Sequence, residues 1–249
     1  MLKDERQHLI LREVTRNNKV KCSYLCKMLN VSEDTVRRDL KELADHGMIR
    51  KVHGGAVANS LLPADYKEKI FHQLEEKKII AEKAVRLLDN FQVILIDGST
   101  TNLELVRHFP KELHATVFTN SFPIAQELCE HSTVETFFFG GKVLKSAKVT
   151  IGMDVLHFLD DVRADICFLG TRSLHAELGI STTRREEAQV KRKLAEVSQK
   201  VVALTVSEKI GTLQPFKVID LNQLDVLVTE LPTDSPILLP FHNKRIEIM

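Results

Sequence analysis

Residues 31–43 read VSEDTVRRDLKEL, a stretch that combines a helix start signal with an amphipathic repeat. Ser32 can act as an N-cap because its hydroxyl can accept a hydrogen bond from a free backbone N–H. Glu33 and Asp34 place negative charge at the positive end of the helix dipole. The apolar residues recur at helical spacing and form one stripe, which consists of Val36, Leu40, Leu43 and Ala44. The pattern predicts a helix that begins after Ser32 and stops at Gly47.

Further elements are predicted on both sides of this helix. Residues 22–29 show a short helical pattern. Asn30 and Val31 alone connect it to the stretch that begins at Ser32, which is the spacing of a helix-turn-helix. An earlier helix, at about residues 4–16, offers a third apolar face. Downstream, residues 48–57 read MIRKVHGGAV, two β-prone runs around a glycine pair, which predicts a hairpin wing. The pattern indicates a winged helix-turn-helix, although an amphipathic helix pair without a DNA role would show a similar apolar stripe.

The sequence TVRRDL at residues 35–40, followed by RKVHGGA at residues 50–56, resembles the N-terminal domain of the DeoR family of bacterial transcription regulators. The resemblance extends to about residue 60. In that family the second helix of the motif enters the major groove. The resemblance implies that the DNA contacts are Ser32, Thr35, Arg37 and Arg38, with His53 of the wing near the DNA backbone.

Charge is distributed unevenly along the chain. The net charge of the whole chain is only +1, which by itself does not indicate a nucleic-acid partner. Residues 1–57 hold 12 Lys+Arg and 8 Asp+Glu, a net charge of +4, so the remainder holds 23 and 26, a net charge of −3. The positive charge therefore lies in the predicted helix-turn-helix, as binding to phosphates requires.

The length of 249 residues favours two domains of unequal size. We expect a DNA-binding domain at residues 1–57, a linker at 58–65 that contains ANSLLP, and a larger domain at 66–249. The first residues lack the apolar core of a signal peptide, and no run approaches the roughly eighteen apolar residues of a membrane span. A cytoplasmic protein with no membrane partner is predicted.

Four cysteines are too few and too scattered to predict a disulfide framework. Cys22 and Cys26 lie one helical turn apart and can in principle form half of a zinc site, but no second pair of ligands stands near them. We therefore predict structural thiols, no metal site and no cofactor.

Beyond a charged helical pattern at residues 66–88, the chain alternates short apolar runs with helical patterns. The runs are rich in β-branched or aromatic residues and lie at 92–96, 115–119, 134–139, 166–169, 201–206 and 226–229. Such alternation indicates a parallel sheet that is covered on both faces, in a Rossmann-like, mostly parallel α/β domain. The tail at residues 231–249 contains ILLPF, which is interpreted as a last edge strand or an oligomer contact.

Ligands of such sheets bind outside the carboxyl ends of the strands. The first three predicted strands end in DGSTT at 97–101, TNS at 119–121 and GGK at 140–142. Hydroxyl groups and free backbone N–H groups at these turns can approach an anion at a helix N-terminus. Each turn alone is ordinary loop chemistry, because Gly, Ser, Asn and Asp are common turn formers. Their joint position on successive strand ends favours a binding site.

These turns, together with STT at 181–183 and SEKIG at 207–211, resemble the successive motifs of the DeoR-type sensor domain, as far as about Glu230. The family fold is related to sugar-phosphate isomerases, and its effectors are typically phosphorylated sugars. The resemblance implies that the effector-binding residues are Asp97, Ser99, Thr100, Thr101, Asn120, Ser121, Gly140, Gly141, Lys142, Lys191 and Lys209.

Two departures from the family pattern bear on this set. Ser99 stands where the family usually has glycine, so a hydroxyl contact can replace a close backbone approach. Glu208 precedes Lys209, and a carboxylate there would oppose a phosphate. Lys191 also fits an ordinary solvated helix position.

The features together predict a ligand-controlled transcription regulator, a repressor of a sugar uptake or catabolism operon, without catalytic residues. Its expected partners are double-stranded operator DNA and a phosphorylated sugar. Because one short helix reads only a few base pairs, we expect a homodimer or homotetramer. The alternative is an isomerase-like enzyme fused to a DNA-binding module, in which Asp97, Lys142 and Lys191 would serve acid/base chemistry.

Overall fold

The computed structural model describes residues 3–17, 19–45, 48–58 and 66–249. The N-terminal part is a three-helix unit with a small antiparallel sheet in the order β1-β3-β2. Its elements are α1 (Lys3–Asn17), β1 (Lys19–Lys21), α2 (Cys22–Leu29), α3 (Glu33–Asp45), β2 (Ile49–Val52) and β3 (Gly55–Ala58). The winged helix-turn-helix is confirmed. β1 was not predicted, because three residues with one buried valine are too short to show a strand pattern.

The predicted reading helix α3 starts as its sequence indicates. The Ser32 hydroxyl accepts a hydrogen bond from the backbone N–H of Thr35 at 3.3 Å. Asn30 adopts a left-handed conformation, with φ 52°, and so makes the tight turn from α2. The Asp39 side chain of α3 is buried and accepts a hydrogen bond from Arg6 Nη2 of α1 at 3.0 Å, an ion pair that joins the two helices. The predicted stop at Gly47 lies outside the described residues.

The C-terminal part is built on a seven-stranded sheet in the order β15-β14-β12-β9-β4-β5-β6, in which every neighbouring pair is parallel. The strands of this sheet are β4 (Val93–Ile96), β5 (Ala115–Thr119), β6 (Val134–Phe138), β9 (Ala164–Gly170), β12 (Ser198–Leu204), β14 (Val226–Val228) and β15 (Glu247–Ile248). The six predicted strands are confirmed as neighbours in one sheet.

Two small antiparallel sheets and six helices complete this part. The small sheets consist of β7 (Lys142–Leu144) with β8 (Val149–Ile151), and of β10 (Ser173–His175), β11 (Gly179–Thr182) and β13 (Phe216–Ile219). The helices are α4 (Tyr66–Phe71), α5 (Leu74–Ala84), α6 (Thr100–Arg107), α7 (Phe122–Leu128), α8 (Met153–Asp160) and α9 (Arg185–Glu196). The single helix expected at 66–88 is divided, because Gln73 adopts a left-handed conformation, with φ 51°, between α4 and α5.

The interpretation of ILLPF as an edge strand is wrong. Residues Pro236–Phe241 form a 3-10 helix, and the edge strand is β15 instead. Proline has no backbone N–H to donate to a sheet, and this segment contains Pro236 and Pro240. Leu238 and Phe241, three residues apart on one face of the 3-10 helix, are buried.

Three apolar cores hold the described residues together. One core takes its members from residues 10–56 only, and two cores take theirs from residue 80 onward. Successive residues of the central strands belong to different cores: Leu95 faces one and Ile94 and Ile96 face the other. The sheet is therefore covered on both faces, as its continuous apolar strands indicate. This separation of cores supports the proposal that residues 1–57 and 66–249 are independent domains.

We expect the two parts to respond separately to cavity-forming substitutions. Leu40→Ala in α3 should lower the free energy of unfolding of the N-terminal unit by about 2–5 kcal/mol, because the side chain is buried among the three helices. Phe168→Ala in β9 should affect only the α/β part. Differential scanning calorimetry of the full chain checks this. A common shift of one transition by both substitutions would show that the cores do not unfold independently.

Candidate functional site

The exposed side of α3 and the wing form the first candidate site. Ser32, Arg37 and Arg38 are exposed, and Thr35 is half-buried with its hydroxyl 2.9 Å from that of Ser32. Arg37 Nη2 donates to Glu33 Oε1 at 2.7 Å, an exposed pair one helical turn apart. These residues share one end of α3, where side chains can reach a nucleic acid.

The wing lies directly beside α3. Arg37 and His53 line the same groove of about 310 Å³ between the helix and the hairpin. Gly55 permits the close pairing of β3 with β1, because a Cβ there would lie 2.0 Å from the carbonyl oxygen of Val20. The five predicted DNA contacts are thus all accessible in part, on α3 or on the adjacent wing turn.

The second candidate site is a small pocket at the carboxyl ends of the central strands. Its volume is about 100 Å³, and its walls come from the turn between α4 and α5, the turn after β4, the end of β9, α9 and the turn after β12. The basic side chains that line it are Lys69, Lys77, Arg172, Lys191 and Lys209. Ser99 and Thr100 add hydroxyl groups from the turn after β4. The pocket therefore combines positive charge with hydrogen-bonding groups.

A buried ion pair between Asp97 and Lys191 lies at the base of this pocket, and both residues are 2% exposed. Lys191 Nζ donates to Asp97 Oδ2 and, at 2.7 Å, to the carbonyl oxygen of Gly170. The backbone N–H of Gly170 donates in turn to Asp97 Oδ2 at 3.0 Å. Burial alone would lower the pKa of Lys191, but the carboxylates of Asp97 and Glu187 raise it above its ordinary value. The lysine is therefore charged at neutral pH.

Close packing at Gly170 explains how the two strand ends meet. A Cβ at this position would lie 2.7 Å from Ser99 Cβ and 2.9 Å from Asp97 Oδ2, so only glycine lets the end of β9 approach the turn after β4. Asn102 fixes the same turn, because its Nδ2 donates to the carbonyl oxygens of Asp97 at 2.7 Å and Phe168 at 2.9 Å. Ser99 Oγ accepts from the backbone N–H of Asn102 at 2.9 Å and caps α6. The turn is thus rigidly placed before any ligand arrives.

The surroundings of Lys209 and Lys77 lower the pKa of each side chain. Lys209 Nζ donates to the carbonyl oxygen of Thr171 at 2.7 Å, and burial together with Arg172, Lys77 and Lys191 lowers its pKa to about 7. Lys77 is 4% exposed, and burial lowers its pKa to about 8. Burial and mutual repulsion therefore disfavour the charged form of these lysines as long as no counter-ion is bound.

Lys77, Arg172 and Glu187 were missed by the sequence reasoning. Lys77 carried a signal, since it shares the buried stripe of α5 with Ile80, Ala81 and Ala84 at helical spacing. Its Nζ donates to the carbonyl oxygen of His72 at 2.6 Å and so closes the turn between α4 and α5. Arg172 and Glu187 reach the pocket through tertiary packing alone and gave no local signal.

Several predicted residues lie outside the pocket. Thr101 is fully buried in the first turn of α6. Ser121 is also buried, and its Cβ lies 3.4 Å from the position that a Cβ on Gly98 would occupy. Asn120 Nδ2 donates to the carbonyl oxygen of Thr150 at 3.0 Å and so holds the β7–β8 hairpin. The three predicted residues that follow β6 do not line the pocket; they are Gly140, Gly141 and Lys142.

Lys142 is directed to the surface. Its Nζ lies 2.9 Å from Glu186 Oε1, and both side chains are largely exposed. The structure therefore does not bring Lys142 to the Asp97–Lys191 pair.

Metal sites and membrane spans are absent from the described ranges 3–17, 19–45, 48–58 and 66–249. No group of three or more His, Cys, Asp or Glu residues is placed there to hold a metal ion. The same ranges contain no helix that is both long and apolar enough to cross a bilayer. Cys22 and Cys26 are both free thiols.

Two family models match separate parts of the chain. The DeoR-like helix-turn-helix domain matches residues 6–61, and the DeoR C terminal sensor domain matches residues 72–231.

Curated relatives align over nearly the whole chain. The HTH-type transcriptional regulator GolR of Listeria innocua is 32% identical, with 98% of this chain and 97% of the relative covered. The HTH-type transcriptional regulator GlpR of Haloferax volcanii is 33% identical, with 94% and 92% covered. The HTH-type transcriptional repressor GlcR of Bacillus subtilis is 29% identical, again with 94% and 92% covered.

Solved structures show more distant likeness. The eIF2B delta structure from Chaetomium thermophilum has a TM-score of 0.46 and 16% identity, and covers 82% of this chain and 65% of that chain. Ribose 5-phosphate isomerase A from Methanocaldococcus jannaschii has a TM-score of 0.41 and 15% identity, and covers 55% of this chain and 53% of that chain.

The sensor-domain match spans more than half of the chain, and the helix-turn-helix match accounts for most of the rest. Two relatives above 30% identity, each aligned over at least 92% of both chains, are named HTH-type transcriptional regulators. The chain belongs to the DeoR family of helix-turn-helix transcription regulators.

Proposed function

We propose that this regulator represses a sugar uptake or catabolism operon in the cytoplasm and that a phosphorylated sugar, bound in the cationic pocket, controls it. The observation that carries the proposal is the convergence of Lys77, Arg172, Lys191 and Lys209 on one cavity of about 100 Å³. Asp97 pairs with Lys191, whereas Lys77 and Lys209 donate to backbone carbonyl oxygens. A phosphate group would supply the missing negative charge and accept hydrogen bonds from Ser99 and Thr100. Relatives named as transcriptional repressors, such as GlcR of Bacillus subtilis and the "putative aga operon transcriptional repressor" of Escherichia coli, support the repressor role.

Groups suited to sugar hydroxyls stand beside the cations. Glu187 lines the pocket, and its Oε2 accepts from the Thr182 hydroxyl at 3.0 Å. Gln73 Oε1 is buried without a hydrogen-bond partner in the described part of the chain, and Gln73 also lines the pocket. A buried acceptor without a partner is costly, so a ligand hydroxyl at this place would be favourable. Phosphate at one end and hydroxyl groups at the other describe a sugar phosphate.

We propose no catalytic role for the pocket. The isomerase alternative assigns acid/base chemistry to Asp97, Lys142 and Lys191, each of which would have to be free to exchange a proton with the substrate. Asp97 is instead engaged by Lys191 and by the N–H of Gly170. Lys142, the third residue of the isomerase alternative, is paired with Glu186 at the surface.

DNA binding is assigned to α3 and the wing. The N-terminal part carries the excess of positive charge, and Arg37 and Arg38 are exposed on α3. Arginine is the side chain best suited to paired hydrogen bonds with guanine or phosphate. The helix would enter the major groove while the wing follows the backbone.

The first prediction concerns ligand binding. A ligand at a hundredfold excess over its Kd stabilises the folded state by about 2.7 kcal/mol, so a matching sugar phosphate should raise the melting temperature where the unphosphorylated sugar does not. Lys77→Met should blunt this response, because it removes a pocket cation while keeping the side-chain length. Lys78→Met, which alters an exposed neighbour on the same helix, is the matched control. Differential scanning fluorimetry with a sugar-phosphate panel measures this; an equal response of both variants would refute the pocket assignment.

The second prediction is a pH dependence. Lys209 has a pKa of about 7 in the free protein, and a bound phosphate should raise that pKa, so binding takes up a proton above pH 7. Affinity should be highest near pH 7 and fall as the pH rises, by at most about tenfold per unit. Lys209→Met should weaken binding and flatten this slope. Isothermal titration calorimetry in buffers of different ionisation enthalpy measures the proton uptake, and its absence above pH 7 would contradict the role of Lys209.

The third prediction concerns the DNA interface. Arg38→Ala and Arg37→Ala should each weaken operator binding, by about 1–3 kcal/mol at one base pair if the side chain reads guanine, or with a salt slope lower by about 1 if it contacts phosphate only. Arg12→Ala removes the same charge from the exposed side of α1 and is the control. Mobility-shift titrations at several salt concentrations distinguish these cases. Wild-type affinity in both α3 variants would remove this helix from the interface.

A further inference from the structure

One edge of the seven-stranded sheet is flanked by phenylalanines. Within the described residues, β6 ends the sheet and pairs with β5 on one side. Its residues Phe137 and Phe138 point to opposite faces, because side chains alternate along a strand. Phe137 stacks on Phe118 with ring centroids 4.6 Å apart, and Phe138 lies 4.9 Å from Phe122 of α7. Aromatic rings therefore border this edge on both faces of the sheet.

These rings remain open to solvent. Phe137 and Phe138 are 39% and 36% exposed, and Phe122 and Phe158 are each 41% exposed. Since an aromatic side chain offers about 150–250 Å², each pair exposes roughly 150 Å² of apolar surface, Phe137 with Phe158 on one face and Phe122 with Phe138 on the other. Exposed aromatic side chains are enriched at protein–protein interfaces, and here they border both faces of the same strand.

The backbone of β6 is equally available. The N–H of Phe139 donates to the carbonyl oxygen of Thr119 at 2.9 Å, so the odd-numbered residues of this strand face β5. In a parallel strand the alternate residues face the other way, and the N–H and C=O groups of Val134, Thr136 and Phe138 therefore point away from the sheet.

The two edges of the sheet differ in protection. Proteins usually protect an exposed edge with a very short strand, a bulge, a lysine or a proline. The opposite edge strand, β15, is only two residues long. β6 has five residues in regular register with β5 and contains neither lysine nor proline. Its one charged side chain is that of Glu135, and a regular edge without a bulge is a surface on which another strand can pair.

We propose that β6 pairs with β6 of a second copy of this chain, antiparallel about a twofold axis, so that the two sheets join into one. A twofold interface must be complementary to itself. With the axis at Thr136, Val134 of each copy faces Phe138 of the other, and all of these residues have outward backbone groups. Glu135 then faces Phe137 of the other copy, so no like charges are opposed.

The DNA-binding part gives this pairing a function. One short reading helix per chain reads few base pairs, and a twofold pair of chains can read two half-sites. A stable interface needs about 800 Å² per partner, so the phenylalanines would form its centre and the surrounding surface its rim. The proposal is independent of the ligand in the cationic pocket.

Light scattering after size-exclusion chromatography of the full chain tests the pairing. The unmodified chain should have at least twice the monomer mass. Thr136→Pro removes an outward N–H, and the double variant Phe137→Ser, Phe138→Ser removes the apolar centre; each should raise the dimer dissociation constant on the order of 10- to 100-fold. The control is Phe216→Ser, which alters an equally exposed phenylalanine of a different sheet and should keep the unmodified mass.

Hydrogen exchange of the unmodified chain provides a second test that needs no variant. The amides of Thr136 and Phe138 should be protected in concentrated solution and should lose protection on dilution, as the pairs separate. A chain that is monomeric at all concentrations would overturn the proposal. Fast exchange of these amides in an oligomer, or variants that keep the unmodified mass, would overturn it as well.

Discussion

The buried ion pair between Asp97 and Lys191 is the interaction on which the α/β part depends. It joins the end of β4, the end of β9 through Gly170, and helix α9. Burying two charges is costly, and the cost is met only because hydrogen bonds to the backbone of Gly170 satisfy them further. Loss of one partner would leave an uncompensated buried charge, at a cost of about 3–5 kcal/mol. The ion pair therefore fixes the position of the strand ends that form the pocket.

Two of the other pocket lysines lie beside this ion pair. Lys77 and Lys209 are held mainly by backbone carbonyl oxygens, and burial lowers both pKa values. A rigid pocket with excess positive charge is preorganised for an anion, because the free energy needed to bring the cations together is already spent in folding. Tyr66 and His72, which come after residues 59–65 in the chain, line the same pocket.

Local patterns explain what could be predicted from the sequence. The capped stripe of α3 and the apolar runs of the central strands depend on near neighbours, and both were confirmed. The turn at 97–101 was placed correctly at a strand end, but Lys142 was expected beside it and lies at the surface. The division between α4 and α5 depends on a left-handed Gln73, which no residue pattern indicates. Arg172 and Glu187 reach the pocket only through contacts between elements distant in sequence.

The central claim is that a phosphorylated sugar in the cationic pocket controls DNA binding. Its most direct test is the affinity of the full chain for an operator fragment selected from random DNA, measured by fluorescence anisotropy with and without the sugar phosphate. We expect the ligand to change this affinity about 5- to 150-fold in the unmodified chain. In Lys77→Met the affinity without ligand should be unchanged and the ligand effect lost. The account would be contradicted if no sugar phosphate that binds the unmodified chain changed its operator affinity. It would also be contradicted if the Lys77→Met variant responded to the ligand like the unmodified chain.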